Sequence, residues 1–312
     1  MSAQITLPNT DLSVYPLCLG GNVFGWTANE DESFIVLDEH RALGGNFIDT
    51  ADAYSAWVPG NSGGESETII GNWMASRGTR SETVVATKVA KLSTRPGLGR
   101  SNIIAACDDS LRRLQTDYID LYYAHEDDQN TPLEETLGAF DELQKAGKIR
   151  FAAASNYSAD RMKQALEVSQ NNGLIKYVAL QNLYNLVERE EFERDSVPFL
   201  AESGISALPF FSLAMGFLTG KYQPGVEVSS GRAGGVEQYK NDRGWAVVRT
   251  LGEIAGDLKT TDSAVALAWL RANPVVATPI ASARTVEQLR GIMPVVELSA
   301  DQVARLTTAS AV

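Results

Sequence analysis

Short apolar runs recur along the chain, separated by longer stretches in which apolar residues return at helical spacing. The first pattern predicts buried strands and the second amphipathic helices. The opening segment ITLPNTDLSVYPL carries two short runs around Asn9 and Thr10, which predicts a small hairpin. Strands are then predicted at 17–21, 46–49, 83–89, 118–125, 150–155, 177–182, 205–211 and 275–280. Asn29 and Glu32 make a capping-box start for a helix through FIVLDEHRAL, which Gly44 and Gly45 close. Further helices are predicted over 65–76, closed by Gly78, and over 101–114. Thr131, Pro132 and Glu134 supply a cap, a proline for the first helical position and a box acceptor for a helix ending at Lys145. Ser158 caps a helix over 159–170, and others follow over 190–203, 245–258 and 263–272. Thr285 and Gln288 form a capping box for 285–292, and the last helix begins at Ser299.

Eight strands alternating with helices predict an α/β fold with a parallel sheet covered by helices, and eight is the number that closes into a (β/α)8 TIM barrel. The barrel carries the short N-terminal hairpin and a long Gly-rich stretch after strand seven, too long for an idle connection. A doubly wound open sheet is the alternative, but its G-x-G-x-x-G signature is missing: GGNVFG at 20–25 has the wrong spacing. GFLTGK at 216–221 is one residue short of a phosphate loop and lacks the hydroxyl residue after lysine.

Composition narrows the function classes. The 312 residues fall in the range of a barrel built as one unit, and no repeat or linker divides 1–312. A net charge of −12 argues against nucleic acid or an anionic membrane as partner, so an anionic ligand needs a local cluster of cations. Cys18 and Cys107 stand in apolar settings and read as buried free thiols. The N-terminus lacks an export pattern and no apolar run approaches a membrane span of roughly 18 residues, so a cytoplasmic location is expected.

In a barrel the chemistry lies at the carboxyl ends of the strands. Those ends carry Asp49 with Tyr54 just beyond, Lys88, His125, Ser155 with Asn156, and Gln181; Phe210 ends strand seven, and Ser282, Arg284 and Gln288 follow strand eight. Each has an ordinary reading: a cap, a rim ion pair, a hydrogen-bonded histidine, a turn residue. Together they suggest carbonyl reduction. A phenol with a pKa of about 10 is a poor acid at neutral pH, and an ammonium beside it favours the phenolate. Tyr54 would then donate a proton to a developing alkoxide, Asp49 would hold Lys88 charged, and His125 would donate a hydrogen bond to the substrate oxygen. A zinc histidine pair, a G-x-S-x-G elbow and a cysteine–histidine pair are all missing, and no metal is expected.

FIDTADAY, VVATK, DLYYAH, Ser155-Asn156, QNLYN, FLTGKY and SARTVEQL stand in the order and spacing of the aldo-keto reductase superfamily, which the chain resembles from Leu17 to Leu289. The loop YSAWVPGNSGGESE is similar to the bacterial and potassium-channel-β-like branch. This resemblance implies a barrel that binds NADPH across its rim and a catalytic tetrad on Asp49, Tyr54, Lys88 and His125. It also places Ser155, Asn156 and Gln181 on the nicotinamide carboxamide and Phe210 on the ring face, where the family usually has tyrosine. Backbone contacts to the pyrophosphate fall on Ser212, Leu213 and Gly216, although FSLAMG lacks the proline common there, and Lys221 becomes a phosphate partner. Ser282, Arg284 and Gln288 match the segment that holds the adenosine 2′-phosphate, which favours NADP over NAD. A helix start at Thr285 and a guanidinium fork suit such an anion.

The substrate is expected to be a small-molecule aldehyde or ketone, and Phe24, Trp26, Trp57 and the loop 222–241 are the candidate pocket wall. Trp26 and Trp57 could equally pack over the barrel mouth. A cofactor-binding regulatory subunit with little or no turnover is the competing function.

Overall fold

The computed structural model describes residues 4–226, 228 and 233–311. Strands β1 (Ile5–Thr6) and β2 (Ser13–Val14) pair antiparallel as the expected hairpin. An eight-stranded parallel sheet follows, built from β3 (Cys18–Gly20), β4 (Phe47–Asp49), β5 (Val84–Val89), β6 (Ile119–Ala124), β7 (Ile149–Ser155), β8 (Tyr177–Gln181), β9 (Ser206–Ala207) and β10 (Ile280–Ala281). β10 pairs with β3, and the remaining strands neighbour one another in chain order. The circle closes where Ala207 bridges Val276 and the Ile280 amide donates to the Pro209 carbonyl at 2.9 Å. This is the predicted (β/α)8 barrel.

Period-two alternation sorts the strand residues. Phe47, Val84, Ala86, Leu121, Tyr123, Ala153 and Ala179 form one buried cluster with Leu7, Leu12 and Val14 of the hairpin, so the hairpin plugs the amino-terminal end of the barrel. Their neighbours Ile48, Val85, Tyr122 and Ala154 join the larger cluster between sheet and helices. Each large apolar side chain so buried stabilises the fold by about 2 kcal/mol before entropy is counted. Continuing the inward set by two positions along each strand reaches Asp49, Lys88, Ser155 and Gln181.

The outer layer contains α1 (Glu30–Ala42), α2 (Glu65–Arg77), α3 (Arg100–Leu114), α4 (Leu133–Lys145), α5 (Ala159–Asn172), α6 (Val197–Ser203), α7 (Ala233–Val236), α8 (Asp242–Leu258), α9 (Asp262–Arg271), α10 (Val286–Ile292) and α11 (Ala300–Ala309). The Asn29–Glu32 capping box forms, and Ser158 caps α5. Packing of α2 on α3 is close enough that a Cβ on Gly71 would lie 2.2 Å from the Arg113 carbonyl oxygen. Among the described residues no helix is long and apolar enough to cross a membrane.

The local details add to the expectations and in places correct them. Strand β9 is only Ser206–Ala207 and β10 only Ile280–Ala281, because Pro209 and Pro279 have no amide to extend the ladders. The helix expected over 190–203 forms, with a π-turn over Phe192–Ser196 inside it ahead of α6, where Pro198 removes another donor. Pro132, not Thr131, occupies the N-cap of α4, and the Thr131 hydroxyl donates to Asp128 Oδ2 instead. Thr285 caps α10, but the Gln288 side chain accepts from the Arg284 amide, one residue before the reciprocal position.

Candidate active site

Inward alternation delivers Asp49 and Lys88 to the inside of the barrel, Lys88 two residues beyond Ala86, the register partner of Asp49, and the turn after β4 folds Tyr54 back over them. Lys88 is fully buried, and its ammonium spends all three donors: on Asp49 Oδ2 at 2.6 Å, on the Thr50 carbonyl at 2.8 Å and on the Tyr54 hydroxyl at 2.9 Å. The Tyr54 hydroxyl donates to Asp49 Oδ2 at 3.3 Å, and Gln181 Nε2 donates to Asp49 Oδ1 at 2.9 Å. The His125 ring meets the Tyr54 ring edge-on with centroids 6.0 Å apart. All four side chains singled out in the sequence therefore converge.

Charge and burial set the protonation of this cluster. Burial pulls the Lys88 ammonium below its usual pKa, opposed by the Asp49 carboxylate. The Tyr54 phenol is pushed well above its ordinary value, first by burial and then by the negative charge of Asp49. That is opposite to the lowering expected from Lys88, because the ammonium is already neutralised by Asp49 and adds little net field. Burial, with Lys88 and Lys91 adding to it, holds His125 well below its usual value, so its imidazole is neutral at neutral pH. Its Nδ1 is buried without a partner.

Tyr54, Asp49 and His125 open into a cavity of about 740 Å³. Ser155, Asn156, Gln181, Phe210, Ser212, Leu213, Gly216, Lys221, Ser282, Arg284 and Gln288 all line it, as do Trp26 and Trp57. Asn156 adopts φ 58°, and its Nδ2 donates to the His125 carbonyl and to Ser155 Oγ. Phe211, Ala214, Met215 and Gly216 all have positive φ, and the Ala214 and Gly216 amides donate to the Phe211 and Leu213 carbonyls, which holds this tight turn at the cavity wall. The Ser212 hydroxyl donates to the Pro209 carbonyl, which leaves its backbone as the part available to a ligand. Ser282 Oγ donates to Asn22 Oδ1 at 2.6 Å. A Cβ on Gly20 would come within 2.5 Å of Ser282 Oγ, so a side chain there would crowd the cavity wall.

Two pocket-wall expectations fail. Phe24 is fully buried in the layer between barrel and helices and does not line the cavity, because the turn after β3 points its ring inward to the core. Among the described residues the 222–241 loop contributes nothing to the lining: Tyr222 and Tyr239 pack on Phe217 instead. Residues 227 and 229–232 of that loop lie outside the described residues. Sequence reasoning missed Asn22, Lys91, Phe211, Thr261 and Ser263, which also line the cavity. Asn22 and Lys91 lie just past strand ends and could have been found by extending the strand-end rule. Thr261 and Ser263 come from the start of α9 and carry no local signal. Among the described residues no group of His, Cys, Asp and Glu is placed to hold a metal ion.

Comparison with known proteins agrees with this architecture. The model of the aldo/keto reductase family matches residues 16–311. The uncharacterized oxidoreductase YrpG of Bacillus subtilis is 34% identical over 308 residues, covering 95% of this chain and 91% of the relative. Norsolorinic acid reductase B of Aspergillus parasiticus is 32% identical over 312 residues, covering 94% and 79%. A putative voltage-gated potassium channel subunit beta of Schizosaccharomyces pombe is 34% identical over 302 residues, covering 91% and 85%. Since the match runs almost the length of the barrel that assembles this mouth, the chain belongs to the aldo/keto reductase family.

Proposed function

We propose that this protein is an NADPH-dependent oxidoreductase that reduces aldehydes or ketones to alcohols, with Tyr54 as general acid. The observation that carries this reading is the Tyr54 hydroxyl, which opens on the cavity while bonded to Lys88 and Asp49 behind it. The phenol keeps its proton across the neutral range and releases it only to an oxygen that gathers negative charge beside it. Lys88 then stabilises the phenolate through the 2.9 Å bond already in place. His125, neutral and lining the same cavity, supplies a hydrogen bond to that oxygen.

The cavity also fits the cofactor. Its volume lies within the range of small-molecule sites, and Lys221 and Arg284 bring positive charge into an acidic protein. When bound, a reduced nicotinamide supplies the hydride. Ser155, Asn156 and Gln181 would hold its carboxamide; the Gln181 nitrogen is committed to Asp49, so its oxygen is the group that remains to accept. Phe210 would stack on the ring, and Ser212, Leu213, Gly216 and Lys221 would take the pyrophosphate. Ser282, Arg284 and Gln288 would hold the 2′-phosphate. Arg284 has no ion-pair partner among the described residues, and an unpaired guanidinium in such a chain suits a phosphate.

NADPH consumption with para-nitrobenzaldehyde, methylglyoxal and a wider aldehyde panel tests the reading. Tyr54→Phe should lower kcat by about 10²–10⁴ while NADPH still binds. Wild-type protein that turns over nothing, or a variant that keeps its activity, would sink it. A regulatory subunit on the same barrel is the second reading, favoured by the name of the Schizosaccharomyces pombe relative. It expects NADPH binding without turnover.

A further inference from the structure

Lys91 is a cation of the cavity to which the proposed cofactor contacts assign no role. It follows Lys88 by three positions and lines the same cavity as Tyr54, His125 and Trp57. The chain reaches it through Ala90, whose φ of 111° is a conformation that L-residues rarely adopt. Strain of this kind costs about 1–3 kcal/mol and persists where the surroundings impose it; here the Ala90 carbonyl accepts from the Gly97 amide at 3.0 Å and Ala90 bridges Pro96. The bend turns residue 91 away from the strand direction and toward the mouth. Its charge is felt inside, where it helps to keep the His125 imidazole neutral.

The Lys91 ammonium is loosely held. Its ion-pair partner is Glu126 at 3.4 Å, with both side chains substantially exposed. The neighbouring carboxylates are already engaged: Asp127 with Arg161 Nε at 2.8 Å, and Asp128 with the Leu98 and Asn130 amides and the Thr131 hydroxyl. In the same cavity, Trp26 and Trp57 meet edge to face with centroids 5.6 Å apart, as do Tyr54 and Trp57 at 6.2 Å, and give it an aromatic wall. An aromatic wall and an ammonium that can exchange partners, facing one cavity, match a flat substrate with an acidic group.

We infer that Lys91 is a specificity-determining residue that selects carbonyl substrates carrying a carboxylate, aromatic ones in particular. This rests on the proposed carbonyl reduction and names the substrate class of the same cavity. Glu126 is the competing anion that a substrate carboxylate displaces.

Para-formylbenzoate and its neutral counterpart para-formylbenzamide differ in charge and little in shape. The ratio of kcat/KM for the acid over the amide should fall about fivefold in Lys91→Met, the size of a part-exposed charge contact. The same ratio should rise in Glu126→Gln, and both changes should shrink at high salt. Reduction of both aldehydes with a ratio unmoved by either substitution overturns the inference and leaves the carbonyl-reductase reading standing. If neither aldehyde is reduced, the wider aldehyde panel decides that reading, and calorimetric titration of the cofactor-free protein with the same two compounds decides the inference alone. Weaker binding of para-formylbenzoate by Lys91→Met, with the amide as reference, supports it; equal binding by wild type and variant overturns it.

Discussion

Behind the candidate site, in the turn after β4, Asp52 is almost fully buried, and neither of its carboxyl oxygens has a hydrogen-bond partner. Burial, reinforced by the Glu67 carboxylate and opposed by Arg113, pushes its pKa up to about 8. An unfolded aspartate titrates near 3.9, so between about pH 4 and about pH 8 the folded chain holds a proton that the unfolded chain has released. The contribution is fully present below the unfolded value and is lost as pH rises through the folded one, at up to about 1.4 kcal/mol per pH unit. Asp52→Asn keeps the shape and removes the titration. Its amide brings donors without acceptors, at a cost of about 1–3 kcal/mol that does not vary with pH. The readout is therefore the change in the variant-minus-wild-type difference, measured by urea unfolding at about pH 5.5 and about pH 7.5. That difference should move in favour of the variant by up to about 3 kcal/mol. His40, held down at about 4 by burial, and His125 act the other way, since their stabilising effect is lost as pH falls below about 6.5. They are common to both proteins and cancel in the difference. Curves that stay parallel across this window would refute the protonated Asp52.

Three further outcomes follow from the packing and charges of the barrel. Lys88→Met leaves the buried Asp49 carboxylate with only Gln181 and Tyr54, and should cost about 3–5 kcal/mol of stability in urea; a loss under about 1 kcal/mol would count against the burial of the pair. Gly71→Ala places a methyl against the Arg113 carbonyl and forces α2 from α3, so thermal unfolding should show a net loss of about 1–3 kcal/mol despite the better helix propensity of alanine. Arg284→Ala should weaken NADPH by roughly tenfold relative to NADH in fluorescence titrations, the worth of one charge-assisted bond, and an unchanged ratio would remove the 2′-phosphate role.

The strands that deliver the site were legible because barrel strands are short apolar runs whose ends are polar, and Asp49, Lys88, Ser155 and Gln181 mark those ends. What stayed hidden depends on the third dimension. Pro209 and Pro279 look like strand residues in an apolar run, yet each deletes a ladder donor and shortens its strand. Phe24 is as aromatic as Trp26, and only the turn after β3 decides that one ring enters the core while the other lines the cavity. Thr87, one position before Lys88, points outward to Glu67 Oε1, and Arg113 closes on the other oxygen of that buried carboxylate at 2.6 Å. Nothing along the sequence ties these three residues together, although the charges of Glu67 and Arg113 help to set the state of Asp52.

Lys88 illustrates why convergence alone does not dictate chemistry. An isolated ammonium 2.9 Å from a phenol would favour the phenolate, and that is what residue types in a row suggest. In the barrel the same ammonium lies 2.6 Å from a carboxylate that also accepts from the phenol, so the pair is nearly neutral as seen from Tyr54. Burial then dominates and keeps the proton on the phenol. Under the proposed reading this arrangement suits a proton donor better than an acidified tyrosine would. The acid stays loaded at rest, and its conjugate base forms against an ammonium that needs no rearrangement to meet it. Gln181 completes the balance: by donating to the second oxygen of Asp49 it fixes the carboxylate from the opposite side, so Lys88 is aimed at the Tyr54 oxygen by a scaffold of three strands, β4, β5 and β8.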